Sequence, residues 1–322
     1  MSSNQKKWGL SLVLLAIIVM MGPGTVLAAR KHVVIGGMSW AGSNAIEQVM
    51  KYVLEEKLDI RVKITPISAS LCWPALEKGS VDVYPDMWMP NQQAGYDKYV
   101  TERKSVAVKL SYDKAVQGFY MPTALATANG IKSIFDLKGK EAMFDTNGDG
   151  QGEIWVGPFD WEASEINTSK VKEYGLDMEP VKVQQWLFLA IMKEAMRKDK
   201  PIIFYYWEPE WPMAKYGLVR LEEPPNNESC WQHVKGDSKA TKISCAFPDA
   251  SVYVGVSKKL EKRNPKAFKF LMNFHIPIAE VSKLIAEVED VPGNPKKPAE
   301  EVAKAWVDGH PEIVKEWLTG IQ

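Results

Sequence analysis

Residues 78–91 read KGSVDVYPDMWMPN. Gly79 closes a short helix, LCWPALEKG (71–79), and VDVYPDMW is a strand that runs out into a Trp-Met-Pro turn. Upstream, RVKITPI (61–67) is a strand. The helix before it covers Ser43–Glu56, with Ser43 as N-cap and apolar residues at Ile46, Val49, Met50 and Val53. HVVIGG (32–37) is the first strand. Downstream of Pro122 the pattern repeats. KEAMFD (140–145) is a strand, a helix runs over about Trp161–Tyr174, MEPVKV (178–183) is a strand, a helix covers Gln185–Arg197, and PIIFYYW (201–207) is a strand. Two β-α-β-α-β units predict an α/β protein of two lobes, each a mostly parallel sheet flanked by helices. SVYVGVS (251–257) returns as a strand, and three amphipathic helices follow around Pro265, Pro277 and Pro298. Trp306 and Trp317 fall on the apolar stripe of the last segment and are expected in the core.

The N-terminus reads as an export signal. Lys6 and Lys7 precede the almost wholly apolar run Leu10–Met21, and Val26-Leu27-Ala28 offers a small-residue cleavage site. Residues 1–28 are therefore expected to be removed, with the mature chain starting near Ala29. The apolar run is short of the roughly 20 residues that span a bilayer. No cysteine lies beside the site, which argues against a lipid anchor. Removing Lys6 and Lys7 from the 40 basic residues leaves 38 against 40 acidic ones. That balance argues against nucleic acid, which calls for a clustered basic face. A soluble periplasmic monomer is expected. In such a compartment Cys230 and Cys245, which flank the polar loop NNESCWQHVKGDSKATKISC, are expected to form a disulfide. Cys72, in the apolar run SLCWPAL, reads as a small core residue.

Ligands of open α/β sheets bind beyond the carboxyl ends of the strands. The loops in that position read MSWAGS, MWMPN, TNGDGQGEIW and WEPEW, and each carries a tryptophan: Trp40, Trp88, Trp155 and Trp207. They stand beside Gly, Pro, Ser and Asn rather than in apolar runs, so a purely core role is disfavoured. Clustered aromatic faces with few polar groups suit a quaternary ammonium ion, whose diffuse charge is drawn to the ring quadrupoles. Stacking on sugar rings is the alternative, in a secreted carbohydrate-binding or glycosidase-like protein with Asp86, Glu208 and Glu210 as its acids. Catalytic signatures argue the other way. There is no G-x-S-x-G, no H-E-x-x-H and no phosphate-binding glycine loop, and His32, His233, His275 and His310 lie outside the four loops. Neither an enzyme nor a cofactor is expected.

The order of KGSVDVYPDMWMPN, KEYGL, KPIIFYYWEPEWPMAKYGLVRLEEP, NPKAFKFLMNFHI and PAEEVAKAWVDGHPEIVKEWL resembles the substrate-binding proteins of ABC importers for glycine betaine, choline and related compatible solutes. The resemblance covers nearly all of the mature chain. It implies two lobes joined by a hinge and closing on the ligand in the cleft between them, without chemistry, and a membrane permease as partner. It implies lobe I from residues 29–120 and 216–322, and lobe II from 121–215. Trp40 stands where the family places a cage aromatic after its first strand. Trp88 is the tryptophan of the W-x-P turn Trp88-Met89-Pro90, and Trp207 opens the W-x-P-x-W motif ending at Trp211. Tyr120 resembles a further cage tyrosine, and Trp186, which opens a helix of the second lobe, is also a candidate. Trp73, Trp161 and Trp211 are expected to pack locally. The chain departs from the family pattern in three places. Glu210 replaces a histidine found in some relatives, Gly42 stands where some choline binders have an acid, and DTNGDGQG stands in for a D-P-G-A-G turn. Glycine betaine, choline, carnitine, trimethylamine N-oxide and sulfonium analogues all fit.

The stretch DTNGDGQGEIW (145–155) opens like a calcium-binding EF-hand loop. Loop position 12 is Val156 rather than Glu, and the preceding segment reads as a strand rather than a helix. The preferred reading is a ligand loop, with Asp149 and the Gly148 and Gly150 backbone facing the cleft. The alternative is a calcium loop held by Asp145, Asn147, Asp149 and Glu153.

Overall fold

The computed structural model describes residues 32–234 and 240–321. The expected signal segment, residues 1–28, and its boundary at Ala29 lie outside the described residues. The chain runs β1 (Val33–Gly37), α1 (Ala41–Tyr52), β2 (Val62–Pro66), α2 (Ala69–Lys78), β3 (Val83–Met89), α3 (Gln93–Tyr96) and β4 (Val106–Pro122). It continues through α4 (Thr123–Ala128), β5 (Gly152–Trp155), α5 (Glu162–Glu173), β6 (Met178–Val181), α6 (Gln185–Arg197), β7 (Phe204–Glu208), α7 (Trp211–Lys215) and β8 (Leu218–Arg220). Then come β9 (Trp231–Gln232), β10 (Lys242–Ile243), β11 (Ala250–Ser257), α8 (Lys258–Arg263), α9 (Pro265–Asn273), α10 (Ile278–Val288), α11 (Ala299–Gly309) and α12 (Pro311–Trp317).

Strand order is β2-β1-β3-β11-β4-β7-β5-β6, with β8 also on β4. Within each half the β-α-β units give parallel pairs: β1 with β2 and β3, and β5 with β6 and β7. The antiparallel pairs involve β11 and β4, which run between the halves. The long strand β4 changes partner midway. Val106–Ala115 pairs with β11, and Val116–Tyr120 pairs with β7.

In the first half β1 and β3 are buried, as strands covered on two faces must be. All of β1 and all but the last residue of β3 are buried. The acid in this apolar region is satisfied: Asp82 accepts from the Val34 N–H at 2.8 Å and pairs with Arg263 at 2.5 Å. Helices α10 and α11 pack on α1. Trp306 and Trp317 are buried and stack with ring centroids 5.7 Å apart, so the amphipathic reading of the C-terminal segment holds.

The short hairpin β9–β10 is clamped by a Cys230–Cys245 disulfide, while Cys72 is free and buried. The bridge closes a loop of 15 residues, which in the chain-entropy account contributes about 3 kcal/mol. Alkylation in denaturant without reductant is expected to label one thiol by intact mass. Three labelled thiols in natively purified protein would show that the bridge does not form.

Candidate ligand-binding site

The carboxyl ends of both halves of the sheet converge on one cavity of about 40 Å³. That is several times the space one water needs, about 10–15 Å³. From the first half come Trp40, at the N-cap of α1, Tyr84 and Trp88 on β3, and Asn91 and Gln92 just beyond it. From the second half come Trp161 and Glu162 at the start of α5, and Tyr205 and Trp207 on β7. The four indoles meet edge to face. Trp40–Trp161 centroids are 5.6 Å apart at 85°, Trp161–Trp207 5.3 Å at 64°, and Trp88–Trp207 6.3 Å at 69°. In such a box a ring's positive edge meets a neighbour's negative face, the favoured arrangement for aromatic pairs. The rings therefore stand at steep angles around the cavity instead of forming one flat platform.

A buried carboxylate fixes two of these rings. Asp86, fully buried on β3, accepts from Trp40 Nε1, from Trp88 Nε1 at 3.1 Å and from Tyr112 Oη at 2.8 Å. Burial raises its pKa, and the three donors oppose that rise. Two further acids lie deep in the same region. Glu210 accepts from the Gly42 N–H at 3.1 Å, and burial pushes its pKa up to about 8. Glu47 is likewise pushed up to about 8, first by burial and then by the negative charge of Asp86. The amides are tied into the wall as well. Asn91 Nδ2 donates to Gln117 Oε1 at 2.7 Å, which also accepts from Tyr205 Oη at 2.6 Å, and Trp73 Nε1 donates to Gln92 Oε1 at 2.8 Å.

Residues 31–309 match the family described as the substrate binding domain of ABC-type glycine betaine transport system. The chain belongs to that family. Its members are transport binding proteins rather than enzymes. The glycine betaine/carnitine transport binding protein GbuC of Listeria monocytogenes is 26% identical over 155 residues, which is 47% of this chain and 44% of that protein. The glycine betaine-binding periplasmic protein OusX of Dickeya dadantii is 21% identical over 273 residues, 82% of each chain. In fold, the chain resembles an ABC-transporter choline binding protein in complex with choline. The TM-score is 0.72, with 20% identity, over 90% of this chain and 92% of that one. It also resembles lactococcal OpuAC in its closed-liganded form with glycine betaine, with a TM-score of 0.69 and 23% identity over 90% and 100%. These likenesses establish the two-lobed periplasmic-binding-protein fold.

In this binding protein Trp40, Trp88 and Trp207 line the cavity, and the other expected ligand residues do not. Trp155 lies one layer behind. It stacks on Phe188 at 3.9 Å, donates to the Val183 carbonyl and touches Trp161 edge-on at 6.4 Å. Tyr120 is buried along β4, where its hydroxyl donates to Glu208 at 2.8 Å. In the β4–β7 register Trp207 faces Gln117, so Tyr120 lies three residues further along the strand, roughly 10 Å away. Trp186 is 71% exposed, because α6 turns Gln185 and Phe188 inward and the residue between them outward.

The loop at 145–151 is the largest correction. Glu141–Phe144 forms a 3₁₀ turn and not a strand, and the strand of this unit is Gly152–Trp155. The DTNGDG loop therefore precedes its strand and sits at the amino end, away from the carboxyl ends that form the cleft. Asp149 is exposed, and the loop is organised on itself. Asp145 accepts from the Gly148 and Gly150 N–H groups at 2.6 and 2.9 Å, and Glu153 accepts from the Thr146 N–H at 2.7 Å. Asp149→Ala is accordingly expected to leave ligand affinity unchanged by titration calorimetry. A loss of about tenfold would place the loop at the ligand after all.

The loop that does follow the strand is VGPFDW (156–161). Its Gly157 adopts φ +117°, a conformation where a side chain would also collide with the Ser164 hydroxyl. This turn delivers Trp161, expected to pack locally, into the box. A sequence signal for it existed: a Gly-Pro turn ending in tryptophan immediately before a helix.

Proposed function

We propose that this protein captures a small methylated ammonium solute between Trp40, Trp88, Trp161 and Trp207 and delivers it to the membrane permease of an ABC importer. The observation that carries the reading is the convergence of four indoles from both halves of the sheet on one small cavity. A desolvated ammonium ion against tryptophan faces gains about 2 kcal/mol or more. Export through residues 1–28 would place the protein in the periplasm as a soluble monomer. Residues 29–120 and 216–322 would form one lobe and 121–215 the other, with the partner change inside β4 as a crossing point. The carbohydrate alternative gains no support from the acids, because Asp86 is engaged by Trp40, Trp88 and Tyr112.

Titration calorimetry with tetramethylammonium, choline, trimethylamine N-oxide, carnitine and glycine betaine tests the reading. Trp88→Ala and Trp161→Ala are each expected to weaken binding by roughly 1–3 kcal/mol, from lost cation–π and packing contacts. Trp186→Ala, on the outer face of α6, is expected to bind as the parent does. Parent-like binding by both box variants, or binding of oligosaccharides and none of the methylated amines, would overturn the proposal.

A further inference from the structure

Helix α1 has no cap of its own. Its N-cap is Trp40, whose side chain makes no capping hydrogen bond, and its first turn contains no acid. An indole offers only a donor, and that donor goes to Asp86. Gly42, the second residue of the helix, is buried. Its N–H is one of the four at a helix start that have no partner within the helix. The acceptor comes from the other half of the sheet. Glu210, three residues beyond Trp207 and 5% exposed, accepts from the Gly42 N–H through Oε1 at 3.1 Å. Through Oε2 it accepts from the Trp211 N–H at 3.3 Å, at the start of its own helix α7. One carboxyl therefore joins the loop that carries Trp40 to the loop that follows Trp207. Glu210 itself does not line the cavity. Two other contacts cross between the halves. Ser39 Oγ donates to Gln185 Oε1 at 3.3 Å. Lys215, the last residue of α7, donates to the Asp290 carbonyl at 2.8 Å and to its carboxylate at 2.7 Å. Asp290 follows α10, which packs on α1, so α7 is clipped to the first half at both ends.

We infer that Glu210 is a positioning residue for ligand retention, which caps α1 from the opposite half when the halves close on a ligand and releases it when they part. The inference rests on the proposed function and adds the contact by which the two sides of the box hold each other. Opening passes the Gly42 N–H from a carboxyl oxygen to water and leaves Trp40 at the start of an uncapped helix. Closing restores the cap and fixes the backbone from which Trp40 projects into the box. Replacing a capping acceptor by alanine typically shifts such an equilibrium by about five- to tenfold. Apparent affinity follows the fraction of protein in the binding-competent form, so the shift reaches every ligand alike. A side chain that touched the ligand would instead separate one ligand from another.

The test follows the Gly42 amide by NMR hydrogen exchange, with and without saturating choline, trimethylamine N-oxide or glycine betaine. In the parent, each of these that binds is expected to slow exchange at Gly42 by at least about tenfold. Equal exchange in the free and the saturated protein would show a permanent structural bond and overturn the inference. That measurement needs no variant, so it stands even if Glu210→Ala does not fold. By titration calorimetry Glu210→Ala is expected to weaken every binding solute by the same factor, about five- to tenfold. Stopped-flow fluorescence is expected to place the loss in the release rate. Glu210→Gln keeps an acceptor oxygen for Gly42 and is expected to bind within about threefold of the parent. Parent-like binding and release by a folded Glu210→Ala protein would refute the role of Glu210. So would Glu210→Gln binding as weakly as Glu210→Ala, or a loss confined to one ligand, which would mark a direct contact. If no methylated amine binds the parent, the aromatic-box reading is wrong and the clasp falls with it. Binding without protection of Gly42 leaves the box standing and overturns the clasp alone.

Discussion

Replacing Asp86 with alanine is expected to destabilise the protein by about 3–5 kcal/mol and to abolish ligand binding. The carboxylate receives three buried donors, the Trp40 and Trp88 indole N–H groups and the Tyr112 hydroxyl. Each donor left unsatisfied costs about 1–3 kcal/mol. Relief of the buried charge and partial relaxation reduce the sum. Two of these bonds set the ring planes of the box tryptophans Trp40 and Trp88, so the lost stability and the lost binding have one cause. Asp86→Asn keeps one acceptor oxygen but turns an amide N–H₂ toward donors, and an intermediate effect is expected. Urea unfolding and titration calorimetry on the folded fraction measure the two consequences separately. An Asp86→Ala protein with the parent's unfolding midpoint and affinity would mean that the rings are held by packing alone.

Stability is also expected to fall as pH rises from about 5 to 8. Glu47 and Glu210 both have folded pKa values pushed up to about 8 from the ordinary value of 4.5. Burial is the main cause for each. For Glu47 the charge of Asp86 adds to it. For Glu210 the Gly42 and Trp211 N–H groups oppose it, while Glu289 and Asp86 reinforce it. In this window the folded state binds more protons than the unfolded chain, so the unfolding free energy declines with pH. The contribution is complete below about 4.5 and is lost as pH passes through about 8. Each carboxyl accounts for up to about 1.4 kcal/mol per pH unit. The combined loss across the window is on the order of 3–5 kcal/mol once mutual coupling and local relaxation are allowed for. Melting temperatures at pH 5, 6, 7 and 8 for the parent and for the Glu47→Gln/Glu210→Gln double variant check this. The double variant is expected to show a flatter profile. Identical profiles would exclude these two groups as the source.

The sequence by itself determined what depends on short-range chemistry. Apolar periodicity placed β1, α1, β2, α2 and β3 to within a few residues, and the same reasoning placed β7 and α6. The tryptophans at or just beyond the carboxyl ends of β1, β3 and β7 stand out because large aromatic side chains beside Gly and Pro at strand ends have little local core to fill. The two cysteines around a polar loop gave the disulfide on similar local grounds. What the sequence left open was decided by pairing across long separations. KEAMFD has the apolar content of a strand, yet the four residues GEIW take that place, because they pair with β6 and β7. A short apolar run does not reveal which segment its partners will accept. That single exchange moved DTNGDG to the amino end of the strand, put Trp155 behind the box and brought Trp161 into it. Asp86 shows the same limit. In the sequence it is one acid beside a tryptophan, and its partners Trp40 and Tyr112 lie 46 and 26 residues away. Lys170 is similar, a charged residue in a helix that proves fully buried against Glu223 at 2.6 Å. A buried charge is tolerated only where a partner from elsewhere in the chain meets it, and only the assembled fold supplies that partner.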